Sequence, residues 1–191
     1  MENPKDPFHR SAETLSIFID YHNFDASLRG EGLQADLTLL REYLTGGRRL
    51  LETFVYIGFN PNNAHEDGRL HRFLRMNGFL VRTKLAKVRP DGSLKCDLDV
   101  EIVLGVVDYV TNTKPDTVLL VTGDGDFVPL AQWLRTRGIR VEIASTQGSI
   151  SQDLQESANG YINLREAIAE IAATRGESLK EEVRTYGNGN N

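Results

Sequence analysis

The residues best suited to chemistry are carboxylates at the ends of apolar runs. Asp124 and Asp126, separated by one glycine, follow the apolar run 118–121 after a Thr-Gly pair. This pattern predicts a buried parallel strand, a tight turn and then a helix over 127–137. Open α/β sheets bind ligands at the carboxyl ends of their strands, so the turn is a candidate site. The same residues also suit a simple turn, in which Asp126 caps the helix and Asp124 only shapes the backbone.

Two further acids are expected to converge on this place. Asp20 ends the apolar run 15–20, and Asp99 lies near the start of a largely buried helix predicted over 96–110. If strands 15–20 and 118–121 are neighbours where the winding of the sheet reverses, all four acids meet in one crevice. Like charges at close range disfavour ionisation, and a divalent cation resolves this conflict. Oxygen ligands favour Mg²⁺ or Mn²⁺ as that cation. The alternative for Asp99 is that it only complements the dipole of the helix at whose start it lies.

An alternation of strands and helices positions these acids. Strands are predicted at 15–20, 51–59, 79–88, 118–121 and 138–144, with a small edge strand at 161–162. Helices are predicted at 36–44, 66–77, 96–110, 127–137, 149–157 and 164–173, and turns at 21–24 and 89–93. This order implies a central, mainly parallel sheet of five to six strands, covered by helices on both faces. We expect a disordered leader over 1–13, one domain over 14–174, and a disordered polar tail over 175–191.

Charge is distributed unevenly along the chain. The net charge of the 191 residues is -5, but 69–95 contains eight basic residues and one acid, a local net charge of +7. The rest of the chain therefore carries -12. Such asymmetry predicts a cationic face beside an acidic centre, as expected where a polyanion is held near a site that needs cations.

The basic residues themselves are candidates for holding this polyanion. Helical spacing places three arginines on one exposed face, strand alternation places the next two cations on one side, and one lysine lies nearest the acids. They are Arg69, Arg72, Arg75, Arg82, Lys84 and Lys95. The alternative is a solvated helix face followed by an edge strand that lysines protect from aggregation.

Several classes of protein are excluded by composition. No apolar run approaches the ~20 residues of a membrane-spanning helix, and the first 14 residues lack the apolar core of a signal peptide. Cys96 is the only cysteine, which excludes an intrachain disulfide and a cysteine zinc cluster. We therefore expect one cytoplasmic domain with no membrane partner.

Three segments, in this order along the chain, carry a resemblance to a known family. They are Phe18-Ile19-Asp20-Tyr21-His22-Asn23, Lys95-Cys96-Asp97-Leu98-Asp99-Val100, and Val121-Thr122-Gly123-Asp124-Gly125-Asp126-Phe127. Together they resemble the NYN domain, specifically the LabA/DUF88 branch of the PIN-like nucleases, over about 15–164. The resemblance implies a PIN-like, Rossmann-like three-layer α/β/α sandwich that cleaves RNA with a metal ion. It also implies that Asp20, Asp99, Asp124 and Asp126 are the metal-site acids, with Asn23 beside them.

The mechanism expected from this resemblance is hydrolysis of an RNA phosphodiester by water that Mg²⁺ or Mn²⁺ activates. Asp20, Asp124 and Asp99 would hold the ion, and Asp126 would orient the water or a second ion. Asn23 would donate its amide hydrogen bond to the phosphate or to metal-bound water. Thr122 would brace an aspartate. A lone turn histidine such as His22 is more often an ordinary hydrogen-bonding residue than a general base.

Two departures from the family pattern bear on this expectation. Where relatives often place another Asp two turns into the helix that starts near Asp99, this chain has Gly105, which bears on whether a second ion is bound. Asp108 does not substitute, because nine residues along it faces roughly the opposite side of the helix. Near the end, Ala158-Asn159 stands where relatives show Ala-Asp, a change expected to affect packing.

Other functions remain open from sequence. A non-catalytic RNA-binding module would keep the fold and the basic residues, and Gly105 favours it. A metal-dependent phosphatase or DNA nuclease would use the same acids on another phosphate ester. A receiver-like phosphoacceptor domain also has acids at strand ends, but the basic residues give it little support. Single-stranded RNA is the expected partner, and a homodimer stays among the candidates because small nucleases of this type often pair.

Overall fold

Eight strands are described in the computed structural model, which covers residues 13–60, 64–88 and 94–187. They are β1 (Thr14–Asp20), β2 (Arg49–Phe59), β3 (Leu80–Leu85), β4 (Lys87–Val88), β5 (Leu94–Lys95), β6 (Thr117–Val121), β7 (Arg140–Ser145) and β8 (Gly160–Asn163). Six of them form one sheet in the order β3-β2-β1-β6-β7-β8, and every neighbouring pair is parallel. The two short strands β4 and β5 pair with each other in antiparallel fashion.

Seven helices connect and cover these strands. They are α1 (Tyr21–Gly30), α2 (Leu37–Thr45), α3 (Ala64–Met76), α4 (Asp99–Thr113), α5 (Val128–Arg135), α6 (Gln152–Ser157) and α7 (Leu164–Gly187). Buried side chains of α1, α2, α3 and α7 pack on one face of the sheet, and those of α4, α5 and α6 pack on the other. The predicted three-layer α/β/α sandwich is therefore confirmed.

Strand β1 is the point at which the winding reverses. The chain runs outward from β1 through β2 to β3, and then α4 carries it back to β6 on the other side of β1. Ile19 of β1 pairs with Val121 of β6, so the carboxyl ends of these strands lie side by side. The crevice outside two such ends is where open parallel sheets bind ligands.

The two hydrophobic clusters fix which way each strand faces. Ile17 and Ile19 of β1 belong to the cluster under α2 and α7, whereas Phe18 belongs to the cluster under α4. Phe18 stacks on Phe54 of β2 with a ring-centroid distance of 4.8 Å. Because strand side chains alternate, Asp20 points to the same face as Phe18, which is the face that α4 covers.

The segment 21–24, predicted to be a turn, is instead the first turn of α1. Asp20 caps this helix, since its side chain accepts a hydrogen bond from the backbone N–H of Asn23 at 3.2 Å. No glycine or proline interrupts 21–29, so a capped helix can begin directly at the end of the strand. Strand 79–88 also differs from the prediction, because it is divided into β3 and β4. The turn predicted at 89–93 lies outside the described residues.

The last helix is longer than predicted. Helix α7 continues from Leu164 to Gly187, so it passes through most of the segment 175–191 that composition predicted to be disordered. Glutamate, lysine and arginine in 177–184 are good helix formers, which favours continuation of the helix despite the low apolar content of this segment. Within the described ranges, no helix combines the length and apolar character needed to cross a bilayer.

Candidate active site

Three carboxylates from two elements come together at the carboxyl edge of the sheet. Asp99 is the first residue of α4, and Asp124 and Asp126 lie in the loop that follows β6. One carboxylate oxygen of each lies within 4.8 Å of the corresponding oxygens of the other two. Asp99 precedes Asp124 by 25 positions and Asp126 by 27, so only the return of the chain through α4 and β6 brings them together.

Asp20 lies beside this group and is the most buried of the four predicted acids. It is 8% exposed at the end of β1, and burial raises its pKa. Its oxygens are outside the set that lies within 4.8 Å, but its charge still acts on Asp99. Burial and the negative charges of Asp97, Asp124, Asp20 and Asp126 raise the pKa of Asp99 to about 6. The site therefore holds more negative charge than the protein alone neutralises.

The donor set fits a hard divalent cation. All candidate ligands are carboxylate oxygens, which Mg²⁺ and Mn²⁺ prefer. In the described part of the chain, no lysine or arginine forms an ion pair with Asp20, Asp99, Asp124 or Asp126. Burial and the neighbouring acids, which lack a paired cation, disfavour the ionised form of Asp99 and so raise its pKa.

Asn23 joins the two strand ends that carry the acids. Its backbone N–H donates to the carboxylate of Asp20, and its side-chain Oδ1 accepts the backbone N–H of Gly123 at 2.8 Å. The side-chain oxygen is therefore occupied, and the Nδ2 group is the part of the amide left to donate to a ligand. Asn23 thus fixes the distance between the end of β1 and the loop after β6.

The loop after β6 is held by hydrogen bonds of its own. The hydroxyl of buried Thr122 accepts the backbone N–H of Asp124 at 3.3 Å, and the carboxylate of Asp124 accepts the N–H of Asp126 at 3.0 Å. Asp124 therefore caps the short 3₁₀ turn Gly125–Phe127. The alternative that Asp126 caps the helix is wrong, because the capping side chain is that of Asp124 and α5 has no side-chain cap. A second carboxylate oxygen of Asp124 remains for a ligand.

A serine-rich segment explains why the loop needs glycine. A Cβ at residue 123 would overlap the backbone carbonyl of Ser149 and would lie 2.8 Å from the Oγ of Ser145. The carbonyl of Gly123 also accepts the N–H of Ser151 at 2.8 Å. The segment 145–151 therefore packs directly against the loop and restricts where Asp124 can lie. No motif in the sequence indicated this contact, because the serines are distant and individually ordinary.

Lys84, a residue of β3 that was predicted to contact RNA, extends its side chain to the start of α4. Its Nζ donates to Glu101 Oε1 at 2.7 Å and to the backbone carbonyl of Asp97 at 2.6 Å. The carboxylate of Asp97 in turn accepts the N–H of Asp99 at 3.3 Å. These contacts hold the first turn of α4, which presents Asp99 to the site. Asp97 was not among the predicted site residues, although it lies in the Lys-Cys-Asp-Leu-Asp-Val segment.

The predicted arginines remain exposed. Arg69, Arg72 and Arg75 lie on the outer face of α3, and Arg82 of β3 lies over the Phe54 ring at 6.0 Å. Helix α3 begins at the carboxyl edge of the sheet and runs toward the opposite edge, so Arg69 is nearest the acids and Arg75 is about 9 Å further along the axis. Lys95 lies in β5, and its side chain is outside the described part.

Gly105 has a steric role. The hydroxyl of Tyr56 occupies the position that a Cβ at residue 105 would take, and the ring Cζ lies 3.1 Å from that position. Burial raises the pKa of Tyr56 to about 12, so the phenol stays neutral against the helix. An aspartate at this position would require Tyr56 to move away from the sheet. The lack of an aspartate at residue 105 thus goes together with the large side chain of Tyr56 on β2.

Three other residues from the sequence analysis have ordinary surroundings. His22 is exposed next to Asp20 and lowers the pKa of that carboxyl through its charge. Cys96 lies 3.6 Å from the carbonyl of Lys84, and burial raises the pKa of its thiol. Asn159 is bonded to Val141 through its backbone N–H and its side-chain oxygen, which is a packing role.

Comparison with known proteins agrees with this architecture. The family model described as "NYN domain" matches residues 14–165. The "Low amplitude and bright protein LabA" of Synechococcus elongatus is 28% identical over 169 residues, covering 84% of this chain and 88% of LabA. An uncharacterized protein of Methanocaldococcus jannaschii is 33% identical over 70 residues, covering 37% of this chain and 29% of the relative.

A solved structure is similar to this fold. A Vibrio parahaemolyticus protein of unknown function superposes with a TM-score of 0.71 at 26% identity, covering 82% of this chain and 96% of that chain. Because the family model covers most of the chain, from residue 14 to residue 165, this protein belongs to the NYN domain family.

Proposed function

We propose that this protein is a metal-dependent ribonuclease that hydrolyses RNA phosphodiester bonds. The observation that carries the proposal is the group formed by Asp99, Asp124 and Asp126, whose oxygens lie within 4.8 Å of one another beside buried Asp20. Membership in the NYN domain family, a PIN-like nuclease family, supports a hydrolase acting on nucleic acid.

The acids have distinct roles in this proposal. Asp20, Asp99 and Asp124 would hold Mg²⁺ or Mn²⁺, and Asp126, which is exposed, would orient the attacking water. The chemistry that such an ion would supply is polarisation of the phosphoryl oxygen and a lower pKa for the attacking water. The carboxylates of Asp124 and Asp126 accept hydrogen bonds from that water and keep its oxygen directed at phosphorus.

Residues around the acids keep the site in shape and hold the substrate. Asn23 ties Asp20 to Gly123, and its Nδ2 group donates to a non-bridging phosphate oxygen. The exposed arginines Arg69, Arg72 and Arg82 attract the phosphates that flank the cleaved bond without reading base sequence. Lys84 acts differently, because its contacts with Glu101 and Asp97 commit it to α4.

The test is a cleavage assay with three substrates. Labelled single-stranded RNA, single-stranded DNA and a phosphate monoester are each incubated with Mn²⁺, Mg²⁺ or EDTA. We expect RNA cleavage with a divalent ion and none in EDTA. Asp20→Asn and Asp124→Asn should each reduce the rate by at least the roughly 10- to 100-fold that loss of a residue supporting a metal ligand costs. Asp108→Asn, which removes an exposed acid from the same helix as Asp99, is the matched control.

Each failure has a defined meaning. RNA cleavage that survives Asp20→Asn combined with Asp124→Asn excludes the assigned site. Preferential cleavage of DNA or of the monoester replaces the substrate assignment with a DNA nuclease or a phosphatase. Binding of RNA without cleavage under any metal identifies a non-catalytic RNA-binding module.

A further inference from the structure

Ser151 packs against the loop that carries Asp124 and Asp126. Its backbone N–H donates to the carbonyl of Gly123 at 2.8 Å. Its Oγ and Cβ lie 2.9 and 3.3 Å from the position that a Cβ at Gly125 would take. Because Gly125 is the residue between the two acids, the Ser151 hydroxyl adjoins the loop at the point where it passes from one acid to the other.

The backbone of Ser151 has the conformation of a helix cap, but its side chain does not act as one. Ser151 directly precedes α6 with φ -68° and ψ 132°, the extended conformation of a capping residue. Serine is among the best residues for this role, yet its hydroxyl accepts no backbone N–H of α6. Departures from such a local rule are expected where a side chain is kept for function.

The Ser151 hydroxyl is also unpaired within the part of the chain that the structure describes. The neighbouring hydroxyls of the same segment are engaged, since Ser149 Oγ lies 2.9 Å from Ser145 Oγ and 3.1 Å from Thr146 Oγ1. Ser151 is half-buried and makes no side-chain hydrogen bond to a described residue. Its O–H group is therefore available to a ligand that enters the acidic site.

The acidic site has many acceptors and few donors. Its four carboxylates only accept hydrogen bonds when ionised, and no lysine or arginine of the described residues forms an ion pair with them. The oxygens of a bound phosphate need N–H or O–H donors as charge develops on them. Asn23 offers one donor from the β1 side of the loop. Ser151 offers another from the opposite side, because β1 and β7 flank β6 in the sheet.

This inference rests on the proposed function and adds a substrate-binding residue to it. We infer that the Ser151 hydroxyl donates a hydrogen bond to a non-bridging oxygen of the phosphate whose bond is cut. The contact holds this phosphate from the β7 side of the loop, opposite Asn23. A neutral hydroxyl suits the position, because it supplies a donor without a positive charge that would compete with a metal ion for the acids.

The first measurement compares Ser151→Ala with Ser151→Thr, which keeps the hydroxyl. We expect Ser151→Ala to lower kcat/KM for RNA about 10- to 100-fold, the range for loss of a hydrogen bond to a charged group. Ser151→Thr should retain most of the activity. Because the hydroxyl makes no contact within the described fold, Ser151→Ala should keep the melting temperature within about 1 °C of wild type.

Ser149→Ala is the matched control, because it removes a hydroxyl of the same segment that is already paired. This change should lower the melting temperature by a few degrees and leave kcat/KM within about threefold of wild type. The two alanine variants should therefore show opposite patterns of activity and stability.

The second measurement identifies the atom that Ser151 contacts. RNA with one stereopure phosphorothioate at the cleaved bond carries sulfur, a weak hydrogen-bond acceptor, in place of one non-bridging oxygen. For the isomer with sulfur at the contacted position, the loss caused by Ser151→Ala should fall to within about twofold, and for the other isomer it should persist. A single 2′-deoxy substitution at the cleaved nucleotide should not change the loss, because the phosphate is retained.

The third measurement does not depend on cleavage. Fluorescence anisotropy follows labelled RNA on Asp126→Asn protein in Mn²⁺, in which the acid proposed to orient the water is gone. Adding Ser151→Ala should weaken binding about 2- to 10-fold, the range for one hydrogen bond. Adding Ser149→Ala should leave binding within about twofold.

Three results overturn the inference and leave the nuclease assignment standing. They are unchanged kcat/KM in Ser151→Ala, equal losses for both phosphorothioate isomers, and a loss that the 2′-deoxy substitution abolishes, which would assign the contact to the ribose. A Ser151→Ala variant that melts several degrees lower would show a structural role and also overturn it.

A wild-type protein that cuts no substrate removes the nuclease assignment, and the anisotropy then decides the contact. Binding that depends on the Ser151 hydroxyl would retain the phosphate contact. Binding that does not depend on it would overturn the contact as well.

Discussion

The change Asp99→Asn separates two opposing effects of the acidic cluster on stability. The ionised carboxylate destabilises the fold without metal, and metal binding stabilises it. Without metal, the folded protein must hold the Asp99 carboxylate partly buried and near four other acids, and this burial and these charges raise its pKa from 3.8 to about 6. A rise of this size corresponds to roughly 3 kcal/mol of unfavourable free energy when the group is ionised. Solvent screening around a partly exposed carboxylate reduces the expected effect to about 1 kcal/mol.

The sign follows from the direction of the shift. Because the folded-state pKa lies above the unfolded-state value, the ionised Asp99 destabilises the fold at all pH values above about 6. As the pH falls through about 6 toward 3.8, the folded protein takes up this proton and the penalty disappears. Asparagine carries no charge, so the variant should exceed wild type in stability at about pH 8, and the difference should shrink at about pH 5.

The assay is chemical and thermal unfolding in EDTA and in Mn²⁺. In EDTA at about pH 8 we expect Asp99→Asn to raise the free energy of unfolding by about 1 kcal/mol, or the melting temperature by roughly 2–4 °C. Mn²⁺ at about 100 times its dissociation constant should stabilise wild type by about 2.7 kcal/mol and the variant by much less. The order of stability therefore reverses between the two conditions.

Asp108→Asn is the control, since it removes an exposed acid from α4 outside the metal-site group. The reasoning is refuted if Asp99→Asn destabilises the protein in EDTA at about pH 8, where the penalty should be complete. It is also refuted if Mn²⁺ stabilises the variant and wild type equally. Equal stabilisation would mean that Asp99 contributes nothing to holding the ion.

Three further predictions concern residues that support the site or the fold. Lys84→Met should raise the Mn²⁺ concentration for half-maximal activity up to about fivefold without weakening RNA binding. The effect is small because the partly exposed ion pair between Lys84 and Glu101, which holds the start of α4, contributes at most about 1 kcal/mol. Gly105→Ala should lower the free energy of unfolding by about 1–3 kcal/mol, measured by urea denaturation, because the new methyl group overlaps Tyr56. Arg48→Met should cost about 1.5–3 kcal/mol by the same measurement, because it removes the 2.8 Å partner of Glu142, whose side chain is 12% exposed, and leaves Arg140 at 2.9 Å as its remaining ion pair among the described residues.

The predictions for Lys84 and Gly105 each have a matched comparison. Arg72→Met removes an exposed cation and should weaken RNA binding while leaving the Mn²⁺ requirement unchanged, the reverse of Lys84→Met. Gly68→Ala, at a helical glycine with open space around it, should not destabilise the protein. A Lys84→Met variant that changes only RNA affinity would return Lys84 to the role of a phosphate contact. A Gly105→Ala variant of unchanged stability would show that Tyr56 moves freely.

The sequence by itself determined the fold class and the separate positions of the acids. Asp20 ends one apolar run and Val121 ends another. Such runs predict buried parallel strands, because both faces of these strands must be covered. Asp36 predicts the start of α2 correctly, and it accepts the N–H of Thr38 at 2.8 Å. These are local signals, so they survive without knowledge of the rest of the chain.

The tertiary structure alone decided which residues act together. Strand order brings β1 next to β6, and this adjacency turns acids that are distant in sequence into one site. The partner of Lys84 was likewise undetermined, because strand alternation gives the side of the sheet but not the helix that covers it. The start of α1 at Tyr21 depended on Asp20 serving as a cap, which its place at a strand end does not reveal.

The close steric contacts at two glycines also could not be predicted from the sequence. The methyl-sized space at Gly105 is filled by Tyr56, 49 positions earlier, and the close approach at Gly123 comes from Ser149. Pattern and propensity describe neighbours along the chain, whereas these contacts depend on how two layers pack on the sheet. The sequence therefore determined which residues have the chemistry for an acidic site, and packing determined the distances between them.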